Sequence, residues 1–274
     1  MKNRKNVIPG FGISLGVTIT FFSLIVLIPM ISIVIRASDI SFSEFINIVT
    51  DKRILAAYKL SLTSALIAAL INSVFGLIIA WVLVRYEFSF KRIVDGIIEL
   101  PFALPTAVAG IALTTLFSEN GWLGSIFFKY GIETAYSKIG IVIALIFIGI
   151  PFVVRTIQPV LEQLDKQYEE AANMLGANRT TIFFRIILPE IFPALLTGFG
   201  LAFARGIGEY GSVVFISGNM PMKTEIAPLL IMSKLEQYDY SGATAIALVM
   251  LGISFLILFV INSIQVYSNK FTGE

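Results

Sequence analysis

Two charged side chains in an otherwise uncharged stretch offer the clearest possibility for chemistry. Residues 191–216 carry no charge apart from Arg205 and Glu209. A charge at the centre of a membrane-spanning helix costs about 2.5–3.5 kcal/mol, whereas each Leu, Ile, Phe or Val favours insertion by about 0.3–0.6 kcal/mol. The two charges can therefore consume most of the gain from inserting this stretch. The sequence predicts a span that is held by neighbouring helices or by a water-filled cavity.

Arg205 and Glu209 are four residues apart, so on a helix they share a face and can pair. Two interpretations of the pair stay open. In the first, Arg205 lies beside a pathway and attracts an anion, while Glu209 limits how strongly the anion is held. In the second, the two charges only neutralise each other within a helical bundle.

The composition excludes most other chemistry. The 274 residues contain neither His nor Cys, which removes imidazole bases, Ser-His-Asp triads, thiolate nucleophiles, zinc fingers, iron-sulfur clusters and disulfides. A formal net charge of +2 without a basic run argues against nucleic-acid binding. Hydrophobic residues at 57% and charged residues at 14% are typical of a membrane protein. We therefore expect neither an enzyme nor a resident cofactor or metal ion.

The spacing of the charged residues predicts six membrane-spanning helices. The six lie between Lys5 and Arg36, Lys59 and Arg85, Glu99 and Glu119, Lys138 and Arg155, across residues 191–216, and between Asp239 and Lys270. The fold class is thus expected to be all-α and polytopic, with residues 1–274 forming one integral membrane domain. The basic start, residues 1–5, precedes too long an apolar stretch for a cleaved signal peptide, so we expect a retained anchor.

Prolines interrupt several of these spans. In lipid, the carbonyl that a proline leaves unpaired must be met by a neighbouring helix, a hydroxyl or water. Pro105 lies deepest, four residues after Pro101, and is the best candidate for a functional kink. For Pro101, Pro151 and Pro193, a kink and mere tolerance near a span end stay equally open.

The polar segment over residues 155–190 is predicted to be cytoplasmic, because an N-terminus inside places more Lys and Arg on the inner loops. Apolar side chains at helical spacing predict an amphipathic helix over residues 161–176. Gly176 is a suitable stop, since glycine takes left-handed backbone angles without steric cost. A second helical stretch, residues 180–188, is expected to end at Pro189.

The same segment carries a motif spaced as EAA-x3-G-x9-I-x-LP, formed by Glu170, Ala171, Ala172, Gly176, Ile186, Leu188 and Pro189. This motif resembles the EAA loop of binding-protein-dependent ABC importer permeases. The resemblance extends from about residue 55 to the end of the chain. It implies a type I ABC importer permease fold with six transmembrane helices, a family core over residues 55–268 and a cytoplasmic EAA coupling loop over residues 161–189.

In that family the loop forms a short coupling helix that inserts into a cleft of a separate ATPase subunit. The resemblance implies that these residues couple the chain to the ATPase: Glu169, Glu170, Ala171, Ala172, Gly176, Ile186, Leu188 and Pro189. The chemistry of the residues agrees, because alanines allow close approach and Glu170 offers a carboxylate to basic groups. The alternative is an interfacial helix that lies on the bilayer without a partner.

Residues 100–113, 203–219 and 223–231 resemble the sulfate and molybdate branch of these permeases, and most closely its T-type sulfate and thiosulfate subunits. We predict a translocation pathway that includes Arg205, Glu209, Tyr210, Gly211 and Pro105. The resemblance implies an assembly with two copies of an ATPase subunit, a W-type permease partner and an external sulfate-binding protein. The membrane would be a bacterial inner membrane or a plastid inner envelope.

Transport would then proceed by alternating access, with ATP hydrolysed by the ATPase subunit and not by this chain. Two alternatives stay open: a molybdate or tungstate permease subunit of the same branch, and a secondary anion transporter driven by an ion gradient. Residues 206–211 fit the nucleotide-binding pattern GxGxxG, but they lie within an apolar span and not after a strand. We interpret them as small-residue helix packing.

Overall fold

The chain folds into a bundle of helices. A computed structural model describes residues 10–272, except for the side chains of Lys166 and of residues 265–272. The basic start of the predicted anchor, residues 1–5, also lies outside the described residues. In chain order the helices are α1 (Phe11–Phe22), α2 (Ile28–Ser38), α3 (Phe42–Val49), α4 (Lys52–Arg85), α5 (Lys91–Ala103), α6 (Thr106–Phe117), α7 (Gly124–Lys129), α8 (Lys138–Gln163), α9 (Lys166–Met174), α10 (Arg179–Ile182), α11 (Leu188–Ile207), α12 (Val213–Ile216), α13 (Ala227–Glu236) and α14 (Tyr240–Thr272). Since residues 10–272 contain no strand, the all-α prediction is confirmed.

Five helical stretches are long and apolar enough to cross a membrane. They are Phe11–Ser38, Lys52–Arg85, Lys138–Gln163, Arg179–Ile207 and Tyr240–Ile264. A sixth is formed by α5 and α6 together, which are bent by 114° relative to each other. The number agrees with the six predicted spans when this bent pair is taken as one broken span.

The break between α5 and α6 lies at Leu104 and Pro105, where the sequence predicts a kink. Leu104 is extended, with φ −82° and ψ 136°, which is the conformation that a following proline favours. The carbonyl of Pro105 accepts the first hydrogen bond of α6, from Ala109 N at 3.1 Å. Pro101 lies inside α5 without ending it, as Pro151 does in α8.

The core is formed by α4, α8 and α11, which approach each other at small residues. Val153 of α8 is fully buried between Gly76 of α4 and Gly198 of α11. A Cβ at Gly76 would lie 2.7 Å from Val153 Cγ1, and one at Gly198 would lie 2.9 Å from Val153 Cα. Small residues let helices pack closely, which drives their association in lipid, where apolar burial alone gives little advantage.

The N-terminal helices lie at the edge of this core. No residue of α1 or α2 is buried, and α2 contacts the bundle at α14. A π-turn over Ser23–Leu27 joins α1 to α2, directly before Pro29. The first span therefore lies beside the bundle and contributes no side chain to its core.

The amphipathic helix predicted over residues 161–176 is divided in two. Leu161 is buried in the last turn of α8, and α9 begins separately after Asp165. The Asp165 carboxylate accepts a hydrogen bond from Gln167 N at 2.9 Å. An aspartate that caps the backbone in this way favours a helix start over a helix interior, so the continuous pattern forms two helices.

The prediction that the next helix ends at Pro189 is wrong. A π-turn over Phe183–Ile187 connects α10 to α11, and the helical stretch Arg179–Ile207 is continuous. Pro189 lies in the first turn of α11, directly after the wider turn. The π-turn shifts the hydrogen-bond register there, so the missing N–H of the proline is accommodated without ending the helix.

The span predicted over residues 191–216 also ends early. α11 stops at Ile207, and the chain turns over residues 208–212. Of the rest of the predicted range, only α12 is helical. Gly208 takes the C-cap position of α11. Residues 205–212 are termed the charged turn below. They comprise the last residues of α11 and the loop that leads to α12.

Candidate functional site

The predicted site residues form two groups at different places in the bundle. The first group surrounds α9, which lies beside the C-terminal end of α4, where Glu169 pairs with Arg85. We term this the α9 end. The opposite end holds α3, α13 and the start of α4, where Arg53 pairs with Glu225. The second group is the charged turn, which includes the last residues of α11 and the loop after them.

α9 is bounded by a tight turn on each side. Asp165 caps its first turn, and Gly176 follows its last residues with φ +83°. Gly176 N donates to the Asn173 carbonyl at 2.9 Å. Left-handed backbone angles cost a residue with a Cβ roughly 1–2 kcal/mol, so glycine suits this position. The predicted stop at Gly176 is confirmed.

Several apolar side chains at α9 are turned away from the rest of the chain. Tyr168 is 62% exposed, Met174 is 90% exposed and Leu175 is 88% exposed. Ala171 is also exposed, whereas Ala172 is buried. Large apolar side chains grouped on one short exposed helix are typical of a surface that a partner covers.

The two neighbouring glutamates of α9 differ in their surroundings. Glu169 forms an ion pair with Arg85, with its carboxylate accepting from the guanidinium. Glu170 is exposed and carries no ion pair among the described residues. The sequence predicts the same role for both side chains, but the structure turns Glu169 towards its own bundle.

The second half of the EAA motif lies in the helical stretch that enters the bundle. Ile186 belongs to the π-turn, and Leu188 and Pro189 begin α11. Ile186 and Leu188 pack against the hydrophobic core, whereas Pro189 is exposed. Ile186 and Leu188 therefore anchor the segment, and the exposed surface is formed mainly by α9 itself.

In the charged turn, Arg205 and Glu209 form the expected pair, with 2.5 Å between Arg205 Nη1 and Glu209 Oε2. The other carboxylate oxygen of Glu209 accepts from Ser212 N at 2.8 Å and from Ser212 Oγ at 2.9 Å. The Glu209 side chain is 2% exposed and that of Arg205 is 36% exposed. Glu209 is thus enclosed and fully bonded, while the guanidinium of Arg205 is partly open.

The interpretation of residues 206–211 as packing within one helix is wrong beyond Ile207, where α11 ends. Only Gly206 packs as expected: a Cβ there would lie 3.4 Å from Ala65 Cβ on α4. Tyr210 lies in the turn and is 38% exposed. Gly208 lies in the turn, and Gly211 lets the turn approach the start of α6.

The start of α6 lies directly against the charged turn. A Cβ at Gly211 would lie 2.1 Å from Thr106 Oγ1, and a Cβ at Gly110 would lie 2.5 Å from the Ser212 carbonyl oxygen. The helix and the turn can be this close only because both positions are glycine. The structure therefore brings the break at Pro105 and the turn at Gly211 into one place.

Sequence reasoning missed residues whose partners are distant in the chain. Arg85 and Glu169 are one such pair, and Arg53 with the buried Glu225 is another, joined by two bonds of 2.7 Å. Neither pair has a spacing that reveals it in a single sequence. Ser212 does carry a local signal, because a hydroxyl three residues after a carboxylate can bind it across a turn.

Two carboxylates outside the spanning helices have a pKa that an ion pair lowers. The hydrogen bond from Lys234, followed by that from Gly242 N, lowers the pKa of Asp239. The hydrogen bond from Lys91 lowers the pKa of Glu87. Within the part of the chain that the structure describes, no group of three or more His, Cys, Asp or Glu side chains could hold a metal ion.

Comparison with known sequences places this geometry in context. A family model described as "Binding-protein-dependent transport system inner membrane component" matches residues 72–273. The chain is 47% identical to the sulfate transport system permease protein CysT of Salmonella typhimurium, with 96% of this chain and 95% of the relative covered. It is 48% identical to the probable sulfate transport system permease protein cysT of Nephroselmis olivacea, over 94% and 91% of the two chains. It is 43% identical to CysT of Synechocystis, over 99% and 95%.

Solved structures share the fold at lower identity. One is the crystal structure of a bacterial alginate ABC transporter in complex with an alginate pentasaccharide-bound periplasmic protein, with a TM-score of 0.75, 19% identity and 92% of each chain covered. Another is the MetNI methionine ABC transporter in inward-facing conformations, with a TM-score of 0.61, 16% identity and 78% and 95% covered. These likenesses concern the fold, and the fold is the one that the EAA motif implies.

Proposed function

The chain belongs to the family of binding-protein-dependent transport system inner membrane components, and from this premise we propose that it is the sulfate and thiosulfate permease subunit of an ATP-driven ABC importer. The relatives that it matches over nearly their whole length are named for sulfate transport. Its helices make it a multi-pass protein of an inner membrane. The substrate is the part of the proposal that rests on these relatives.

One observation carries the proposal that the chain is driven by a separate ATPase. α9 leaves Tyr168, Met174 and Leu175 exposed beside the exposed carboxylate of Glu170. Such a surface suits a protein cleft that is apolar at its centre and basic at its rim. We assign contact with the ATPase to this surface, with Ala171 and Ala172 allowing close approach and Gly176 fixing the turn.

The wider assembly follows the family pattern. Two ATPase copies would bind two permease chains, of which this chain is one and a W-type subunit is the other, with a sulfate-binding protein outside. Residues 1–274 would act as one membrane domain, with its permease core over residues 55–268. The coupling loop, residues 161–189, would face the cytosol. ATP is hydrolysed by the ATPase, and this chain has no catalytic role.

The pathway is assigned to the charged turn and the adjoining break. A guanidinium binds sulfate oxygens by charge-assisted hydrogen bonds, and Arg205 is partly open while paired. Glu209 already occupies one of its nitrogens, so an anion would be held weakly enough to leave. Tyr210 and Gly211 line the same turn, and Pro105 places the start of α6 beside it. The broken helix resembles those at transporter substrate sites, where helix N-termini face anionic groups.

Reconstitution tests the proposal. Proteoliposomes carry this chain, the W-type subunit and the ATPase, with the sulfate-binding protein outside and ATP inside, and uptake of labelled sulfate is measured. We expect uptake that requires ATP and stops when the ATPase is omitted. Uptake that survives without the ATPase would instead indicate a secondary transporter.

Competition between anions distinguishes a sulfate permease from a molybdate permease of the same branch. We expect excess thiosulfate to block uptake of labelled sulfate and excess molybdate to leave it unchanged. The opposite pattern would assign the chain to the molybdate and tungstate permeases.

A further inference from the structure

Arg85 and Trp81, both on α4, contact two other elements at the α9 end. The Arg85 guanidinium pairs with Glu169 of α9 and lies over the Trp81 ring, 5.5 Å from the ring centroid. The Trp81 ring makes an edge-to-face contact with Phe183, with centroids 5.7 Å apart and planes at 78°. Phe183 begins the π-turn that connects α10 to α11. Arg85 and Trp81 together therefore connect α4 to α9 and to the π-turn that leads into α11.

The surroundings of Arg85 restrict this connection to one geometry. The Arg85 side chain is 11% exposed and that of Glu169 is 25% exposed. A partly buried pair is screened less than a surface pair, and stacking on an aromatic ring further orients the guanidinium. The Nε of Arg85 is buried and has no hydrogen-bond partner among the described residues. The guanidinium thus has no second acceptor at Nε that could replace Glu169.

Few other contacts hold α9 in place. Ala172 is buried, and the remaining described side chains of α9 are exposed or half-buried. The helix is bounded by the extended residue Leu164 and the left-handed Gly176, which separate it from α8 and α10. α4, in contrast, packs along α8 and α11 through the core. The Arg85 contact is therefore a direct route by which a movement of α9 reaches α4.

We propose that Arg85 and Glu169 are positioning residues for coupling, which transmit the movement of α9 into α4 and α11 while Glu170 faces the ATPase. The inference rests on the proposed function, because it requires an ATPase that moves α9. Adjacent glutamates would then have separate roles: Glu169 binds its own bundle and Glu170 binds the partner.

Charge reversal tests the inference in the assembled transporter. Arg85→Glu, Glu169→Arg and the double variant are reconstituted, and ATPase copurification, ATP hydrolysis and sulfate uptake are measured on the same preparations. We expect each single variant to retain the ATPase but to hydrolyse about tenfold more ATP per sulfate transported. The double variant re-forms the pair in reverse and is expected to recover about half or more of the wild-type ratio.

Glu170→Arg is the matched control, because it makes the same reversal one residue further along. It is expected to lose the ATPase on copurification, and Arg85→Glu is expected not to rescue it. The inference is overturned if the single variants keep the wild-type ratio at equal assembly, or if the double variant is no better than either.

A milder variant tests the inference if the charge-reversal variants do not assemble with the ATPase. Glu169→Gln keeps the side-chain shape and removes the charge, and is expected to raise the ATP used per sulfate about threefold. An unchanged ratio overturns the inference. Failure of the proposed function would look different, because the wild-type chain itself would then bind no ATPase or transport sulfate without it.

Discussion

An arginine–glutamate pair lies in each of the two regions that matter, and the pairs are built differently. Arg205 and Glu209 are four residues apart, whereas Arg85 and Glu169 are separated by 84. Glu209 is enclosed and also holds Ser212, so the local pair fixes the shape of a turn. The distant pair joins separate helices at the edge of the bundle. An arginine–glutamate pair thus shapes a loop in one region and connects separate helices in the other.

The difference predicts how each region responds to substitution. At the α9 end, most side chains are exposed, so changes there should leave the chain folded and act on the partner. At the charged turn, the groups are enclosed, so changes there should alter both stability and transport.

Gly176→Asp should have the largest effect. The residue must keep φ +83° and lies beside the exposed surface of α9. We expect the variant to insert normally and to lose sulfate uptake, because the turn is strained and a charge is added where the ATPase docks. Gly131→Asp is the control: its φ is +74°, nothing lies within 4 Å of its Cβ position, and it is at the opposite end. Normal uptake by a well-folded Gly176→Asp would refute the coupling role.

Removing both charges from the turn separates the two interpretations of Arg205. Arg205→Ala alone would leave Glu209 buried without its partner, so the double variant Arg205→Ala/Glu209→Gln, which keeps an oxygen for Ser212, is the cleaner test. If Arg205 contacts the anion, the double variant assembles but loses uptake by at least about tenfold, as expected for one charge-assisted hydrogen bond of about 1.5–3 kcal/mol. Uptake near the wild-type rate would mean that the pair only neutralises itself.

Gly211→Ala should have a smaller effect than the two preceding changes. It should lower the folding stability of the chain. The added Cβ would lie 2.1 Å from Thr106 Oγ1, and overpacking of this kind costs about 1–3 kcal/mol. Thermal unfolding in detergent measures the change. Gly208→Ala is the control in the same turn, since nothing lies within 4 Å of its Cβ position.

The clash itself is tested by a second substitution. Thr106→Ala removes the hydroxyl, so adding it to Gly211→Ala should restore part of the lost stability. The Cβ of residue 106 would still lie 3.0 Å from the added methyl group. If Gly208→Ala proves as damaging as Gly211→Ala, the close approach of α6 to the turn is not the cause.

Asp239→Asn should have the smallest effect, about 0.5 kcal/mol, because the Lys234–Asp239 pair is partly exposed. The hydrogen bonds from Lys234 and Gly242 N lower the pKa of Asp239 below its ordinary value of 3.8. The pair therefore stabilises the fold above that value and loses this contribution as the pH falls through the lowered pKa. The difference in unfolding temperature between wild type and variant should be constant near neutral pH and close in acid. A difference that grows in acid would contradict this sign.

Local patterns predicted the features that depend on near neighbours. Charge spacing gave the number of spans, Pro105 gave the break at which α5 and α6 bend by 114°, and Gly176 gave the turn after α9. The Arg205–Glu209 pair was also expected, although it forms across a helix end. These features follow from the properties of residues that are close together in the chain.

Other features depend on competition or on distant partners. Periodicity could not reveal that Asp165 would cap α9 and divide the predicted helix, because the same aspartate also fits a polar face. Pro189 is accommodated by a π-turn that has no sequence signature of its own. The ion pair of Glu169 could not be predicted, because its partner Arg85 is 84 residues away and is placed only by the packing of α4.

The central claim, that α9 faces the cytosol and is covered by an ATPase, can be tested by labelling. The chain contains no cysteine, so Met174→Cys at the α9 end and Met222→Cys at the opposite end each introduce a single thiol. With a membrane-impermeant maleimide, we expect spheroplasts to label only Met222→Cys. Inverted vesicles should label Met174→Cys, and bound ATPase should protect it. Labelling of Met174→Cys from outside, or no protection by the ATPase, would contradict the account.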